Sequence, residues 1–136
     1  MSYARYPSLA GRGVLITGGA TGIGQAMAEA FADQGSQVVV LDKDAAAGQA
    51  LAAAAPNIAF QACDGSDAAA LKAAIAAAIK QLGGLHVLVA NAADDTRHGL
   101  DDLTPEAWDR CVAVNLKHQF FAAQAAHPAI AAAGGG

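Results

Sequence analysis

The chain is poor in cysteine: its 136 residues include two, Cys63 and Cys111. Two cysteines make no disulfide framework, and no Cys-x-x-Cys pair exists, so both read as packing residues rather than ligands or nucleophiles. Charge is sparse as well. Eight Lys and Arg stand against twelve Asp and Glu, for a net charge of −4, and no basic run occurs. Lys43, Lys72, Lys80 and Lys117 are scattered, which fits solvated surface positions and excludes a nucleic-acid or anionic-membrane patch. Long apolar runs are missing. The longest, Leu85 to Ala93, is interrupted by His86 and Asn91 and is too short to span a bilayer. The first residues, "MSYARYPSLAGRG", lack the apolar core of a secretory leader. The default expectation is a reduced, cytoplasmic protein with neither a membrane nor a nucleic acid as partner.

What is present is apolar. Hydrophobic residues make up 54% and charged residues 15%, a balance that folds rather than stays disordered. The length predicts a single domain over residues 1–136, able to bury roughly two-thirds of its unfolded surface.

Strand and helix patterns alternate. "GVLITG" reads as a short buried strand, and "TGIGQAMAEAFADQG" as a helix with Ile23, Met27 and Phe31 on one face, stopped by Gly35. "SQVVVLD" is a second strand, "DAAAGQALAAAAP" an alanine helix and "NIAFQACD" a third strand. "SDAAALKAAIAAAIKQLGG" is a helix striped by Leu71, Ile75, Ile79 and Leu82, and "LHVLVANA" is a fourth strand. Thr104 caps a long helix with Pro105 in its first turn, running from about Glu106 to Ala133. Repeated βα units predict an α/β fold, an open parallel Rossmann-like sheet with helices on both faces. The fourth strand reads as buried on both faces, hence as a central strand. One of its partners is then absent from a four-stranded set, and the fold is expected to be cut short after the long helix.

The turn between the first strand and helix carries Gly18, Gly19, Gly22 and Gly24. A glycine-rich turn at a helix N-terminus is an anion site, because free N–H groups and the helix dipole converge where no Cβ intrudes. A P-loop is excluded, since Ile23 and Gln25 follow the last glycines instead of Lys-Ser/Thr. No frame gives G-x-G-x-x-G. The spacing that fits is T-G-x-x-x-G-x-G, through Thr17, Gly18, Gly22 and Gly24. The alternative is a glycine turn without a ligand.

"TGGATGIG" resembles the cofactor turn of the short-chain dehydrogenase/reductase family, and the likeness follows the whole chain in order. It implies a nicotinamide dinucleotide contacted by Gly18, Thr21, Gly22, Ile23 and Gly24. Asp42 ends the second strand, where family members that prefer NAD carry an acid on the adenosine ribose. A carboxylate there accepts hydroxyl hydrogen bonds and repels a 2′-phosphate, so NAD rather than NADP is expected. The alternative for Asp42 is an N-cap of the next helix. Asp64 and Gly65 match the adenine contacts, Gly65 standing where the family has a larger apolar residue. The alternative for Asp64 is a turn acid ahead of a Ser66 or Asp67 cap.

"LVANAAD" resembles the family's "LVNNAG", placing Asn91 and Ala92 at the cofactor. Ala90 and Ala93 replace an Asn and a Gly, and a positive φ at Ala93 would strain it. "CVAVNLKHQFF" resembles the helix that carries a catalytic asparagine, at Asn115, with an exposed polar residue as the alternative.

The stretches "YPSLAGRGVLITGG" and "DDTRHGLDDLTPEAWDRCVAVNLKHQFFAAQA" are similar to NAD-dependent aldose (xylose-type) 1-dehydrogenases. That similarity places Asp94, Asp95, Arg97 and His98 near a substrate mouth, while a plain surface loop is the alternative. No second ligand accompanies His98, and no metal site is expected. His86, His118 and His127 read as incidental.

The family's hydride transfer uses a Ser and a Tyr-x-x-x-Lys. The two tyrosines, Tyr3 and Tyr6, are followed four residues on by Pro7 and Ala10. The resemblance therefore implies the cofactor-binding half of an oxidoreductase, inactive alone and homo-oligomeric in full-length form. The alternative is a non-catalytic dinucleotide-binding or assembly module.

Overall fold

A computed structural model describes residues 4–134, so Tyr3 and the last two glycines of the expected helix exit lie outside the described residues. A short 3-10 turn at Pro7–Leu9 precedes β1 (Gly13–Thr17), α1 (Gly22–Asp33), β2 (Gln37–Asp42) and α2 (Ala45–Ala54). Then follow β3 (Ile58–Ala62), α3 (Ala68–Leu82), β4 (Val87–Ala90) and α4 (Pro105–Val112). A π-helical segment, Ala113–Lys117, leads into α5 (His118–Ala132).

The four strands form one parallel sheet in the order β3-β2-β1-β4. Thr17 lies level with Leu41 and Ala90, and Asp42 with Ala62, so the strands' carboxyl ends share one edge. In open α/β sheets that edge is where ligands bind.

Side chains alternate across the sheet with the strand period of two. Val14, Ile16, Val38 and Val40 pack with Ala28, Met27 and Phe31 of α1 and Leu51 of α2. Leu15, Val39 and Leu41 face the other way, onto Leu71 and Ile75 of α3 and Ala122 and Ala126 of α5. Burying a branched aliphatic side chain such as Leu15 or Ile16 contributes about 1.5–3 kcal/mol. Both layers of helices are thereby fixed to the sheet, as the sequence pattern predicts.

The caps are specific. Asp44 accepts from Ala47 N at 3.0 Å, Asp67 from Ala69 and Ala70 N, and Thr104 from Ala107 N at 3.2 Å. Asp42 is therefore not the cap of α2, and Asp67 rather than Ser66 caps α3. Gly35, with φ +86, follows α1 as its stop.

Three expectations change. Ile23 is not on the buried face of α1 but 77% exposed, because the first turn of the helix overhangs the sheet edge and has no core beneath it. β4 has one neighbour among the described residues, as a set missing one partner requires, but its four residues are half-buried rather than buried on both faces. The long helix is interrupted by the π segment, which widens the turn that carries Asn115. Among the described residues no helix is long and apolar enough to cross a membrane.

Candidate functional site

The glycine turn is clamped from below. Gly18, at φ +64, donates its N–H to the Leu41 carbonyl at 2.7 Å. A Cβ on Gly18 would stand 2.6 Å from the Ala92 Cα, and one on Gly24 would collide with the Gly18 carbonyl oxygen. The buried Thr17 hydroxyl accepts from the Asn91 and Ala92 amides at 3.1 and 3.3 Å. The Asn91 side chain donates to the Gly18 carbonyl at 2.8 Å and the Thr17 carbonyl at 3.3 Å. Gly22 takes φ +57 with open space around it. Thr21 is the N-cap residue of α1, yet its side chain makes no capping bond. The first-turn N–H groups of α1 are thus left for another acceptor, at the positive end of the helix dipole.

A cleft of about 480 Å³ opens above this turn. Gly18, Thr21, Ile23 and Gly24 form its floor, Asp42 and Lys43 one side, Cys63, Asp64 and Gly65 the far end, and Asn91 to Asp95 the other side. Asp42 Oδ2 accepts from Ala20 N and Oδ1 from Asp44 N, both at 3.0 Å.

Asp64 accepts from Ser66 N at 2.9 Å, and the hydrogen bonds of Ser66 hold its carboxyl below the usual carboxylate range. The turn role weighed for Asp64 is therefore real, and the same residue also lines the cleft. Burial, then the Asp64 and Asp67 charges, pushes the Cys63 thiol up, so it faces the cleft as a neutral thiol. Behind Gly65 stands His118, 1% exposed, with its ring edge 3.0 Å from where a Gly65 Cβ would be. A larger residue at position 65 would meet that ring.

Asn115 sits on the π segment and faces the loop after β4. Its Oδ1 accepts from Asp94 N and its Nδ2 donates to the Asp94 carbonyl, both at 2.7 Å, with Cys111 Sγ at 3.2 Å. It is half-buried, which removes the exposed-polar alternative. Thr96 bonds hold the Asp94 carboxyl low, and Arg110 Nε lies 3.5 Å from its Oδ2. Asp94 also borders a second, shallower cleft of about 460 Å³ with Thr96, His98, Glu106, Arg110 and Cys111.

Gly18, Thr21, Ile23, Gly24, Asp42, Asp64, Gly65, Asn91 and Ala92 are brought together along the main cleft. Gly22 shapes the turn without lining it, and Asn115 lies behind Asp94. Arg97 and His98 stay outside the main cleft, His98 bordering the second one. No non-glycine residue among those described has positive φ, so Ala93 is unstrained.

Sequence reasoning missed Leu41, Cys63, Leu71 and Val114 as lining residues, since a core stripe looks the same whether its last member meets the core or a cleft. His86 is not incidental either, because its Nδ1 accepts from Gly13 N at 3.0 Å at the opposite sheet edge.

The short chain dehydrogenase family pattern matches residues 12–136. A probable galactose dehydrogenase of Rhizobium meliloti is 42% identical over 140 residues, covering 98% of this chain and 54% of that protein. A D-xylose 1-dehydrogenase of Caulobacter vibrioides is also 42% identical, covering 100% of this chain and 55% of that protein. A crystal structure of a short chain dehydrogenase from Burkholderia cenocepacia in complex with NADP superposes with TM-score 0.86 at 32% identity, over 90% of this chain and 52% of that one. The chain thus spans about half the length of the relatives it matches. On the family pattern, the curated relatives and the shared fold, the chain belongs to the short-chain dehydrogenase family.

Proposed function

We propose that the cleft holds an adenine dinucleotide, NAD rather than NADP, and that the chain, residues 1–136, is the cofactor-binding part of an oxidoreductase that transfers hydride to or from an aldose. The carrying observation is the turn: two glycines where a Cβ has no room, above first-turn N–H groups that no side chain caps. A diphosphate suits that surface, because the backbone itself makes the contact. Asp42 and Lys43 flank the adjoining space, and the carboxylate favours two ribose hydroxyls over a 2′-phosphate. Asp64 and Gly65 lie where the base end would rest. The nicotinamide ring, when bound, would accept the hydride in its oxidised form or donate it in its reduced form. Asn115, holding the Asp94 backbone on the β4 side of the cleft, is the one member of the family's catalytic set carried by this chain.

The polar rim of Asp94, Thr96, His98, Glu106 and Arg110 supports a hydroxyl-rich substrate. A cytoplasmic setting and pairing between copies through α4 and α5 complete the proposal. Trp108, Val112, Leu116 and Phe120 are exposed along that helix at four-residue steps.

Fluorescence titration of the chain with NAD and NADP tests the cofactor, with tighter NAD binding expected and tighter NADP binding overturning the role of Asp42. Absorbance at the NADH band tests the chemistry. The chain with NAD and D-xylose or D-galactose is expected to produce no NADH. Sustained turnover would show that these residues suffice for catalysis.

A further inference from the structure

We propose that Asp42 is a positioning residue for the glycine turn, beyond any contact it makes with a bound sugar; this rests on the dinucleotide reading of the cleft. Both of its oxygens already hold backbone amides. Oδ2 accepts from Ala20, 22 residues earlier in the middle of the turn, and Oδ1 accepts from Asp44 at the entry to α2. One residue before, the Leu41 carbonyl accepts the Gly18 N–H at 2.7 Å. Two successive positions at the end of β2 therefore hold two alternate amides of the turn, those of residues 18 and 20.

The turn needs such an anchor. It contains three glycines before α1 settles into its helical bonds, two of them at positive φ, and glycine gives the unbound backbone its widest freedom. A bond from a peptide N–H to a carboxylate is charge-assisted and stronger than one to a neutral acceptor. Fixing Ala20 from the side leaves the amides of Gly22, Ile23 and Gly24 as the ones presented to a ligand.

A carboxylate has about four lone-pair sites, so the two bonds from the backbone leave room for two hydroxyls. The same group thus serves two parts of one ligand. It can meet the sugar directly, and it orders the loop that meets the diphosphate. Replacing Asp42 to admit a 2′-phosphate removes the anchor along with the discrimination, and a simple cofactor swap at this position weakens the binding of either cofactor.

Calorimetric titration of the 136-residue chain with ADP and with 2′,3′-dideoxy-ADP separates the two roles, because the second nucleotide lacks the sugar hydroxyls. Asp42→Ala is expected to weaken dideoxy-ADP by about tenfold, the scale of one charge-assisted hydrogen bond. Asp42→Asn, which keeps one acceptor oxygen and the side-chain shape, is expected to lose less and carries the test if the alanine variant does not fold. Amide exchange at Ala20 should accelerate in Asp42→Ala while β1 and α1 stay protected. Unchanged dideoxy-ADP affinity and unchanged Ala20 exchange in both variants, with ADP alone weakened, would overturn the anchor role and leave the dinucleotide reading intact. A wild-type chain that binds neither nucleotide would overturn the dinucleotide reading and, with it, the ligand role of the anchor.

Discussion

His118 shows at the scale of one residue how much a pattern hides. In sequence it is one histidine of four; in the structure it is buried, and neither ring nitrogen finds a hydrogen-bond partner among the described residues. Burial pushes its pKa below the ordinary histidine value, with the Val114 carbonyl pulling weakly the other way. The unfolded chain takes up this proton near pH 6.5, while the folded chain does so only at lower pH. Its contribution is therefore fully present above about pH 6.5 and drains away as pH falls through that value toward the folded one. Thermal melts across this range should show Tm falling for the wild type and a flatter profile for His118→Phe; equal slopes would refute it. The glycine turn, by contrast, is legible in its spacing, which picks out Gly18 and Gly24, where a Cβ would strike backbone, and Gly22, which needs a positive φ rather than room. Ile23 was half legible. Periodicity puts it on the core face, but the structure sets it 77% exposed at the cleft, because helical periodicity does not register that the first turn overhangs the sheet.

Among the elements, β1 and β2 follow their patterns because both faces are buried, and α2 and α3 because each has an apolar face and an Asp cap. The segment from β4 to α5 departs from its pattern for a physical reason. A π-helical turn needs a side chain or tertiary contact to hold it open, and hydrophobic periodicity does not record that. Here Asn115 spans from the widened turn to both backbone groups of Asp94. Asn115→Ala leaves those half-buried groups without their partners, at about 1–3 kcal/mol. The expected result is faster amide exchange from Ala93 to Leu103 with the sheet unaffected, measured by deuterium uptake. Uniform protection in the variant would show that the loop holds itself.

For the whole molecule, the unresolved balance is exposed apolar surface. Trp108, Val112, Leu116 and Phe120 advance in four-residue steps, which drift around a regular 3.6-residue helix. The wider π turn offsets that drift and keeps them closer to one side. Leu116, 67% exposed, lies in the middle of the row. Leu116→Glu should lower the sedimentation mass of the chain toward a monomer at fixed concentration; an unchanged mass would remove this face as the pairing surface. The bonds from Asn91 to Thr17 and Gly18 have a further consequence, in time rather than in space. They join positions 73 and 74 residues apart. As the chain leaves the ribosome, β1, β2 and β3 are all made before the residue that locks the first turn exists. The earliest-made part of the cleft, first anchored by Leu41 and Asp42, thus gains its remaining bonds only when the fourth strand docks.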